Sequence, residues 1–339
     1  MSAHGIFPTR RPPRDRRAQG ISWERPTARG HSTGPPGARR DRRSRRSTRG
    51  GPLEHTAASP ASAARRVLLA GCGDVGATLG ARLAAAGTDV VGLRRGGDHP
   101  GFPFPIRAAD LTEDTAAALP QADQVVVTLS PGGRDAAAYE HTFRGGLAGL
   151  ARRLPTPPRR LVFISSTGVL GAHDGDRVDE ATQPTPDRGS AAALLSAEQD
   201  ARELFDGEVV VVRPAGIYGP GRSRTIDRVA RGTPMDHRRM TNRIHRDDLV
   251  TILAALLESS APPPLLHAVD AEPATLGAVA SFIAERLGVD VPADSGDGRA
   301  SGKTIDGRRL RTFLQGSRLR FPTFREGYAE LIGRHDPTR

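Results

Sequence analysis

The chain has 339 residues, of which 37% are hydrophobic, and its formal net charge at pH 7 is +11. It contains one cysteine, which excludes an internal disulfide and argues against a cysteine-based metal site. No segment approaches the roughly twenty apolar residues that a membrane-spanning helix needs, and the arginine-rich start lacks the apolar stretch of a secretion signal. We therefore expect a soluble cytoplasmic protein with no bound metal and no membrane association.

The positive charge is concentrated at the N-terminus. Residues 1–66 contain sixteen arginines and only four acidic residues, so residues 67–339 are close to neutral. Residues 1–64 lack a hydrophobic period and are rich in Arg, Pro, Gly and Ser, which predicts a disordered tail. Its arginine cluster could bind nucleic acid non-specifically, but a solvated tail, or an upstream stretch that is not part of the functional protein, is the simpler interpretation. We expect no specific nucleic-acid partner.

The segment at 67–91 predicts a strand, a phosphate-binding turn and a helix. After the apolar run 67–70, three glycines follow with the spacing G-x-G-x-x-G. Gly71 would permit a tight turn, Gly73 would leave room for a pyrophosphate, and Gly76 would let the helix lie close to the strand. Free N–H groups at the start of the helix would face the phosphates. The predicted dinucleotide-binding residues of this turn are Gly71, Cys72, Gly73, Asp74, Val75 and Gly76. Cys72 is expected to be a small neighbour of the cofactor and not a nucleophile.

The residues after the second strand indicate which dinucleotide binds. Val90–Leu93 runs directly into Arg94 and Arg95, with no carboxylate before Asp98. An acidic residue at this point would hold the ribose hydroxyl of NAD, whereas arginine accommodates the extra phosphate of NADP. This pattern favours NADP over NAD. The alternative is that the two arginines are only solvated loop charges.

The rest of the chain alternates apolar strands with helices, which predicts an α/β fold: a Rossmann-type doubly wound parallel sheet. We expect an NAD(P)-binding domain at 65–213 and a smaller C-terminal substrate-binding region at 214–339 that partly completes the sheet. Further strands are predicted at 104–109, 124–129, 160–165, 209–213 and 265–269. Helices are predicted at 113–119, 135–153, 189–205, 248–258, 275–287 and 306–314. The helices 135–153 and 189–205 could form a homodimer interface or could simply cover the sheet.

Several sequence blocks occur in an order that is specific in combination. They are GCGDVG from residue 71, the pair Asp110 and Leu111, FISSTGVLG from 163, RPAGIYGPGR from 213, NRIHRDDLV from 242, and the C-terminal GKTIDGRRLRTFL and LRFPTFREGY. Together they resemble the atypical and extended short-chain dehydrogenase/reductases, the NAD(P)-dependent epimerase/dehydratase superfamily, over residues 65–333. The C-terminal blocks look like those of a subgroup described as sugar-nucleotide epimerase-like.

The resemblance implies roles for individual residues. Asp110 and Leu111 would lie at the adenine, and Ser166 would occupy the catalytic Ser/Thr position. Arg222 and His245 would face the substrate pocket or brace the smaller domain. The residues expected along the rest of the cofactor are Leu129, Ser130, Pro131, Pro214 and Ile217.

The proton-transferring Y-x-x-x-K pair of this family is missing. Its Tyr position is Ser190 and its Lys position is Leu194, and none of the three tyrosines is followed by the single lysine at the required spacing. Arg188 could replace the electrostatic role of the lysine, although a guanidinium does not shuttle protons at neutral pH. His245 or Asp174 could serve as the proton donor, but a lone histidine is more often structural. Ser166 could equally be a turn-capping hydroxyl.

Two functions therefore remain open. The first is an NAD(P)-binding oxidoreductase or epimerase-like protein, NADP-linked, that acts on a small carbonyl or sugar-nucleotide-like substrate with an unconventional proton donor. The retained SSTG and GIYGPGR blocks favour it. The second is a catalytically silent NADP-binding module that senses redox state, which the missing Tyr and Lys favour.

Overall fold

The computed structural model describes residues 65–96 and 101–334. The predicted tail at 1–64 and Asp98 lie outside the described residues. The first half of the described chain contains β1 Arg66–Ala70, α1 Asp74–Ala85, β2 Asp89–Arg94, β3 Ile106–Ala108, β4 Gln124–Val127, α2 Ala136–Tyr139, a π-helical segment Glu140–Gly145, α3 Gly146–Arg153, β5 Arg160–Ile164, a 3-10 turn Thr167–Leu170, β6 Arg177–Val178 and α4 Gly189–Leu204. The second half contains β7 Glu208–Pro214, β8 Gly216–Tyr218, α5 Arg224–Ala230, β9 Arg239–Thr241, β10 Arg243–His245, α6 Arg246–Glu258, β11 Leu265–Ala268, β12 Ala274–Thr275, α7 Leu276–Leu287, β13 Ser301–Gly302, β14 Thr304–Ile305, α8 Arg308–Phe313 and α9 Phe324–Arg334.

Seven strands form a parallel sheet in the order β11-β7-β5-β4-β1-β2-β3. The chain winds in one direction from β1 to β3 and in the other from β4 to β11, which confirms the predicted doubly wound Rossmann-type sheet. The reversal lies between β1 and β4. In such sheets ligands bind outside the carboxyl ends of the strands at this reversal.

Apolar side chains cover both faces of the sheet because successive residues of a strand point to opposite sides. In β1, Leu68 and Ala70 belong to one buried cluster, while Val67 and Leu69 belong to the cluster on the other face. A third cluster lies in the C-terminal part of the chain, where α7 and α9 pack together around Val279 and Phe324. The C-terminal region also contributes β11 to the edge of the main sheet beside β7.

The predicted helix at 113–119 is wrong, because the structure has only turns and extended chain there. In and just before this segment, backbone carbonyls accept hydrogen bonds from the buried side chain of Arg153 on α3 and not from the N–H groups of a helix. Its Nε donates to the carbonyl of Ala117 at 2.9 Å and its guanidinium donates to the carbonyl of Asp110 at 2.7 Å. The amide of Leu119 in turn donates to the carbonyl of Arg153 at 2.9 Å. These long-range contacts leave no signal in the local sequence.

The other predicted elements are present with shifted ends, and α5 and α9 are helices that the sequence analysis did not predict. The predicted strand at 104–109 shortens to β3, because Phe104 turns inward beneath α1 and lies where a Cβ on Gly80 would clash. The predicted helix at 135–153 is divided by the π-helical segment. Within residues 65–96 and 101–334, no helix is both long and apolar enough to span a membrane.

Candidate functional site

A cleft of about 360 Å³ opens at the carboxyl ends of β1, β2 and β4, where the winding of the sheet reverses. It brings together residues that are up to seventy positions apart in the sequence. The predicted cofactor residues that line it are Gly71, Cys72, Gly73, Arg94, Arg95, Asp110, Leu111, Leu129 and Ser130.

The three glycines of the first turn have different surroundings. Gly71 has a φ of +102°, which side-chain-bearing residues rarely adopt, and a Cβ there would lie 2.9 Å from the carbonyl oxygen of Thr128. A Cβ on Gly76 would lie 2.3 Å from the carbonyl oxygen of Gly71. A Cβ on Gly73 would meet nothing within 4 Å. Gly71 and Gly76 are therefore required by the turn itself, whereas Gly73 leaves open space on the cleft side.

The start of α1 has no side-chain cap, since its N-cap residue is Gly73. Uncapped N–H groups at a helix start and the positive end of the helix dipole favour an anion. Arg94 and Arg95 add positive charge to the cleft, and neither forms an ion pair with another described residue. The cleft is thus electropositive both at the turn and at the end of β2.

Asp110 lines the cleft from the segment that follows β3. Its Oδ1 accepts hydrogen bonds from the amide of Thr112 at 2.9 Å and from the hydroxyl of Thr112 at 2.7 Å. These hydrogen bonds lower the pKa of Asp110, and the nearby Arg95 contributes in the same direction. Asp110 is therefore an oriented, ionised acceptor at the cleft.

Other predicted cofactor residues lie outside this cleft. The carboxylate of Asp74 accepts hydrogen bonds from Arg222 at 2.6 Å and from Arg246 at 2.8 Å, so it joins α1 to the C-terminal region. Arg222 therefore braces the C-terminal region against α1. Val75 and Gly76 are buried inside the turn of α1. Pro131, Pro214 and Ile217 do not line the cleft.

Sequence reasoning missed four polar residues of the cleft: Thr112, Thr128, His141 and Thr142. Thr128 donates a hydrogen bond from its hydroxyl to the carbonyl of Gly71 and so holds the turn. Its position directly after a buried strand could have identified it as a residue of the ligand-binding edge of the sheet. His141 and Thr142 lie on the π-helical segment, whose altered register is not visible in the sequence.

The thiol of Cys72 is buried against β2, with its Sγ where a Cβ on Gly92 would fall. Burial raises the pKa of the thiol to about 11. The group is therefore protonated at neutral pH and is a poor nucleophile, in agreement with the expectation of a small residue.

A second pocket, of about 520 Å³, lies at the carboxyl end of β5, the neighbour of β4 in the sheet. Ser166, the residue predicted at the catalytic Ser/Thr position, lines it. Its Oγ accepts a hydrogen bond from the amide of Gly168 at 3.0 Å, so the capping role is present. The hydroxyl proton of Ser166 can still be donated into the pocket.

The residues at the family's Tyr and Lys positions face the same pocket. Ser190 and Leu194 line it from α4, and Arg188 lines it from the start of that helix. Two residues come from elsewhere in the chain: Tyr139 from α2 and Lys303 from the segment between β13 and β14. A tyrosine and the only lysine of the chain thus share a pocket with Ser166, although no sequence spacing relates them.

A buried ion pair anchors α4 to the sheet beside Ser166. Arg213 on β7 donates two hydrogen bonds to Glu198 on α4, at 2.8 and 2.7 Å. The hydroxyl of Ser165 donates to the same carboxylate at 2.5 Å. Glu198 therefore links α4 to β7 and to the residue that directly follows β5.

His245 lines neither pocket and is only 1% exposed. Its Nδ1 accepts a hydrogen bond from the amide of Asp247 at 3.2 Å and caps α6, and its ring lies 3.9 Å from that of Phe321. Burial lowers its pKa to about 4. These surroundings describe a structural histidine and do not favour the proton-donor role considered for it. Asp174, with a φ of +45°, also lies outside the second pocket.

Comparison with solved structures shows the same architecture in other proteins. A structure of a candidate NAD-dependent epimerase/dehydratase from Methylobacillus flagellatus is 30% identical, covers 80% of this chain and 98% of its own, and has a TM-score of 0.68. Two less similar structures share the fold. Human epimerase family protein SDR39U1 (isoform 2) with NADPH is 20% identical over 79% of this chain and 99% of its own, with a TM-score of 0.65. UDP-glucuronic acid 4-epimerase from Bacillus cereus in complex with NAD is 19% identical over 81% and 98%, with a TM-score of 0.64.

Sequence comparison gives the same grouping. Protein YeeZ of Escherichia coli K12 is 28% identical over 272 residues, which are 73% of this chain and 93% of YeeZ. The model of the NAD dependent epimerase/dehydratase family matches residues 67–265, a stretch that contains the glycine turn, Ser166 and α4. The chain belongs to the NAD dependent epimerase/dehydratase family.

Proposed function

We propose that the protein is an NADP-linked oxidoreductase or epimerase-like enzyme that acts on a small carbonyl compound or a sugar-nucleotide-like compound without the Y-x-x-x-K pair. One structural observation gives this proposal its main support. An electropositive cleft and a polar pocket containing Ser166 lie at the ends of two adjacent strands, β4 and β5. That arrangement suits a nicotinamide dinucleotide whose reactive end points towards the polar pocket.

The residues of the cleft fit an NADP molecule. The open space at Gly73 and the uncapped start of α1 suit the pyrophosphate. Arg94 and Arg95 would bind the 2′-phosphate, and Asp110 would accept from the adenine. The solved structures of similar fold include one with NADPH and one with NAD, so the preference for NADP is argued from these two arginines alone.

When bound, NADP in its reduced form supplies a hydride to a carbonyl carbon. The residues of this chain would position and polarise the substrate. The hydroxyl of Ser166 would donate a hydrogen bond to the substrate oxygen, and its own position is set by β5 and the 3-10 turn. Leu194 and Val169 would exclude water from one wall of the pocket.

The proposal is tested by incubating the protein with NADPH and a panel of aldehydes, ketones and keto-sugar nucleotides while following NADPH oxidation. We expect saturable turnover of at least one class. Ser166→Ala should lower kcat, and Ser166→Thr should restore part of it because the hydroxyl is kept. Ser260→Ala is the matched control, since Ser260 is exposed and lines neither pocket.

The redox-sensing alternative rests on the absence of Y-x-x-x-K from the sequence. A sensor should bind NADPH and NADP with clearly different affinities. Tight binding of both forms with no turnover on any carbonyl, and a tenfold or greater difference in affinity, would favour the sensor over the enzyme.

A further inference from the structure

Lys303 is the only lysine among the 49 lysines and arginines of the chain, and it lines the pocket that contains Ser166. The ammonium group donates a hydrogen bond to the carbonyl of Gly171, which ends the 3-10 turn that begins after Ser166. Because Gly171 also lines the pocket, this contact places the ammonium group at the pocket wall.

The backbone around Lys303 is held from both sides. The side-chain amide of Asn242 donates to the carbonyl of Lys303 at 2.7 Å and accepts from the amide of Ile305 at 2.8 Å. The preceding Gly302 has a φ of +83°, and a Cβ there would lie 2.2 Å from the carbonyl oxygen of Met240. The chain thus presents residue 303 to the pocket in a fixed position.

The electrostatic surroundings of Lys303 favour release of a proton. Partial burial lowers the pKa of the ammonium group; Asp187 opposes this shift, and Arg239 and Arg188 reinforce it. These three residues and Asp236 are the other charged residues that line the pocket. Asp236 accepts hydrogen bonds from the hydroxyl of Ser301 at 3.1 Å and from the amide of Arg238 at 3.2 Å.

We propose that Lys303 donates the proton to the carbonyl oxygen of the substrate, in place of the tyrosine that α4 lacks. The inference rests on the proposed function. As the hydride adds to the carbonyl carbon, the C=O π electrons move to the oxygen, and this oxygen takes one proton from the ammonium group. The products are the alcohol, oxidised NADP and a neutral amine, which regains its proton from water. Ser166 donates a hydrogen bond to the same oxygen.

The other groups of the pocket are less suited to this step. Arg188 and Arg239 carry guanidinium groups, which do not act as general acids, and the hydroxyl of Ser190 is a very weak acid. Leu194 carries no proton to give. The phenol of Tyr139 is the one alternative donor, and it is therefore included in the test.

The first test titrates the amine directly. Because Lys303 is the only lysine, its ε-amine and the chain's α-amino group are the only two amines that an acylating reagent such as acetic anhydride can modify. Mass spectrometry of the peptide that contains Lys303 would give its extent of modification as a function of pH. We expect half-maximal reactivity below pH 10.5, the ordinary value for a lysine, whereas an unshifted lysine titration would contradict the proposal. This readout requires neither NADPH nor substrate.

The second test is kinetic. Lys303→Met and Lys303→Arg should both lower kcat by roughly 100-fold to 10000-fold, the usual contribution of a general acid, with the affinity for NADPH unchanged. In the wild type, kcat should fall as the pH rises through the lowered pKa of Lys303. This fall at high pH is the alkaline limb of the plot of kcat against pH, and it should disappear in both variants. Arg239→Met is the matched control: it removes a pocket cation and should move the limb to higher pH without abolishing it.

The results of these tests distinguish failure of the proposed function from failure of the role proposed for Lys303. Failure to bind NADPH refutes the proposed function. Binding of NADPH with carbonyl reduction that stays within threefold of wild type in Lys303→Met refutes only the role of Lys303. Loss of the alkaline limb in Tyr139→Phe, with the limb retained in Lys303→Arg, would assign the proton to Tyr139 and also overturn the inference.

Discussion

Arg213 and Glu198 form a doubly hydrogen-bonded ion pair with both side chains at most 4% exposed. The pair joins α4 to β7, and Ser165, the residue directly after β5, donates a third hydrogen bond to Glu198. Since Ser166 follows Ser165 and α4 forms one wall of the second pocket, this interaction fixes the geometry of the pocket as well as the packing of the helix.

Breaking this pair from one side should destabilise the protein strongly. Arg213→Met leaves the carboxylate of Glu198 buried without its cation, which costs about 3 to 5 kcal/mol. Urea unfolding measures the change. Arg66→Met is the control, because the ion pair between Arg66 and Asp89 is partly exposed and contributes only about 0 to 1 kcal/mol. Similar losses in the two variants would show that the buried pair has no special structural role.

Two alanine substitutions in the glycine turn should affect different properties: Gly76→Ala should mainly lower stability, and Gly73→Ala should mainly lower the affinity for NADPH. Gly76→Ala places a methyl group against the backbone of Gly71 and should cost about 1 to 3 kcal/mol in stability through overpacking. Gly73→Ala meets open space and should destabilise the protein less, by at most about 1 kcal/mol, because Gly73 is the N-cap of α1 and Gly is favoured over Ala at that position. It should nevertheless weaken NADPH binding, because the methyl group occupies the pyrophosphate position. Thermal unfolding and fluorescence titration measure the two effects, and unchanged NADPH affinity in Gly73→Ala would contradict the proposed pose.

The preference for NADP should depend on Arg94 and Arg95. Replacing both with alanine removes charge-assisted hydrogen bonds of about 1.5 to 3 kcal/mol each, so NADPH affinity should fall at least tenfold. NADH affinity should change little. Calorimetric titration of both cofactors measures this difference. Arg107→Ala, at an exposed position of β3 outside the cleft, should leave both affinities unchanged. Equal losses for NADPH and NADH in the double variant would exclude a 2′-phosphate contact.

His267 should make stability decrease in mild acid. Burial, assisted by Arg213, lowers the pKa of its imidazole from 6.5 to about 4. Below pH 6.5 the unfolded chain binds a proton that the folded protein does not, so stability is retained above pH 6.5 and is lost as the pH falls towards 4. The loss from this group at pH 4.5 is about 2 kcal/mol.

The variant His267→Leu isolates this contribution. Neither ring nitrogen of His267 has a hydrogen-bond partner among the described residues, so an apolar replacement of similar size is tolerable. Chemical denaturation at pH 7 and pH 4.5 should show a smaller acid-induced loss in the variant than in wild type. Parallel pH dependences would mean that His267 takes up its proton as readily in the folded protein as in the unfolded chain.

The cleft at the carboxyl ends of β1, β2 and β4 was largely predictable from the sequence because its main features are local. The run from Val67 to Gly76 encodes strand, turn and helix within ten residues, and the steric surroundings of Gly71 and Gly76 match the reasons given for those glycines. Arg94 ends β2, Arg95 follows it directly, and both line the cleft as expected.

The remaining features depend on contacts between distant segments. The carboxylate of Asp74 accepts hydrogen bonds from Arg222 and Arg246, roughly 150 residues away or more, and the glycine motif gave no indication of these contacts. Lys303 reaches the Ser166 pocket from more than 130 residues away. A search for Tyr and Lys four residues apart on one helix could not find it.

Titration of the purified full-length protein with NADPH and with NADH by isothermal calorimetry tests the central claim most directly. The account predicts saturable binding of one NADPH per chain, with NADH binding at least tenfold more weakly. Absence of saturable binding by either cofactor would contradict the assignment of the cleft at Gly71–Gly76 as a dinucleotide site.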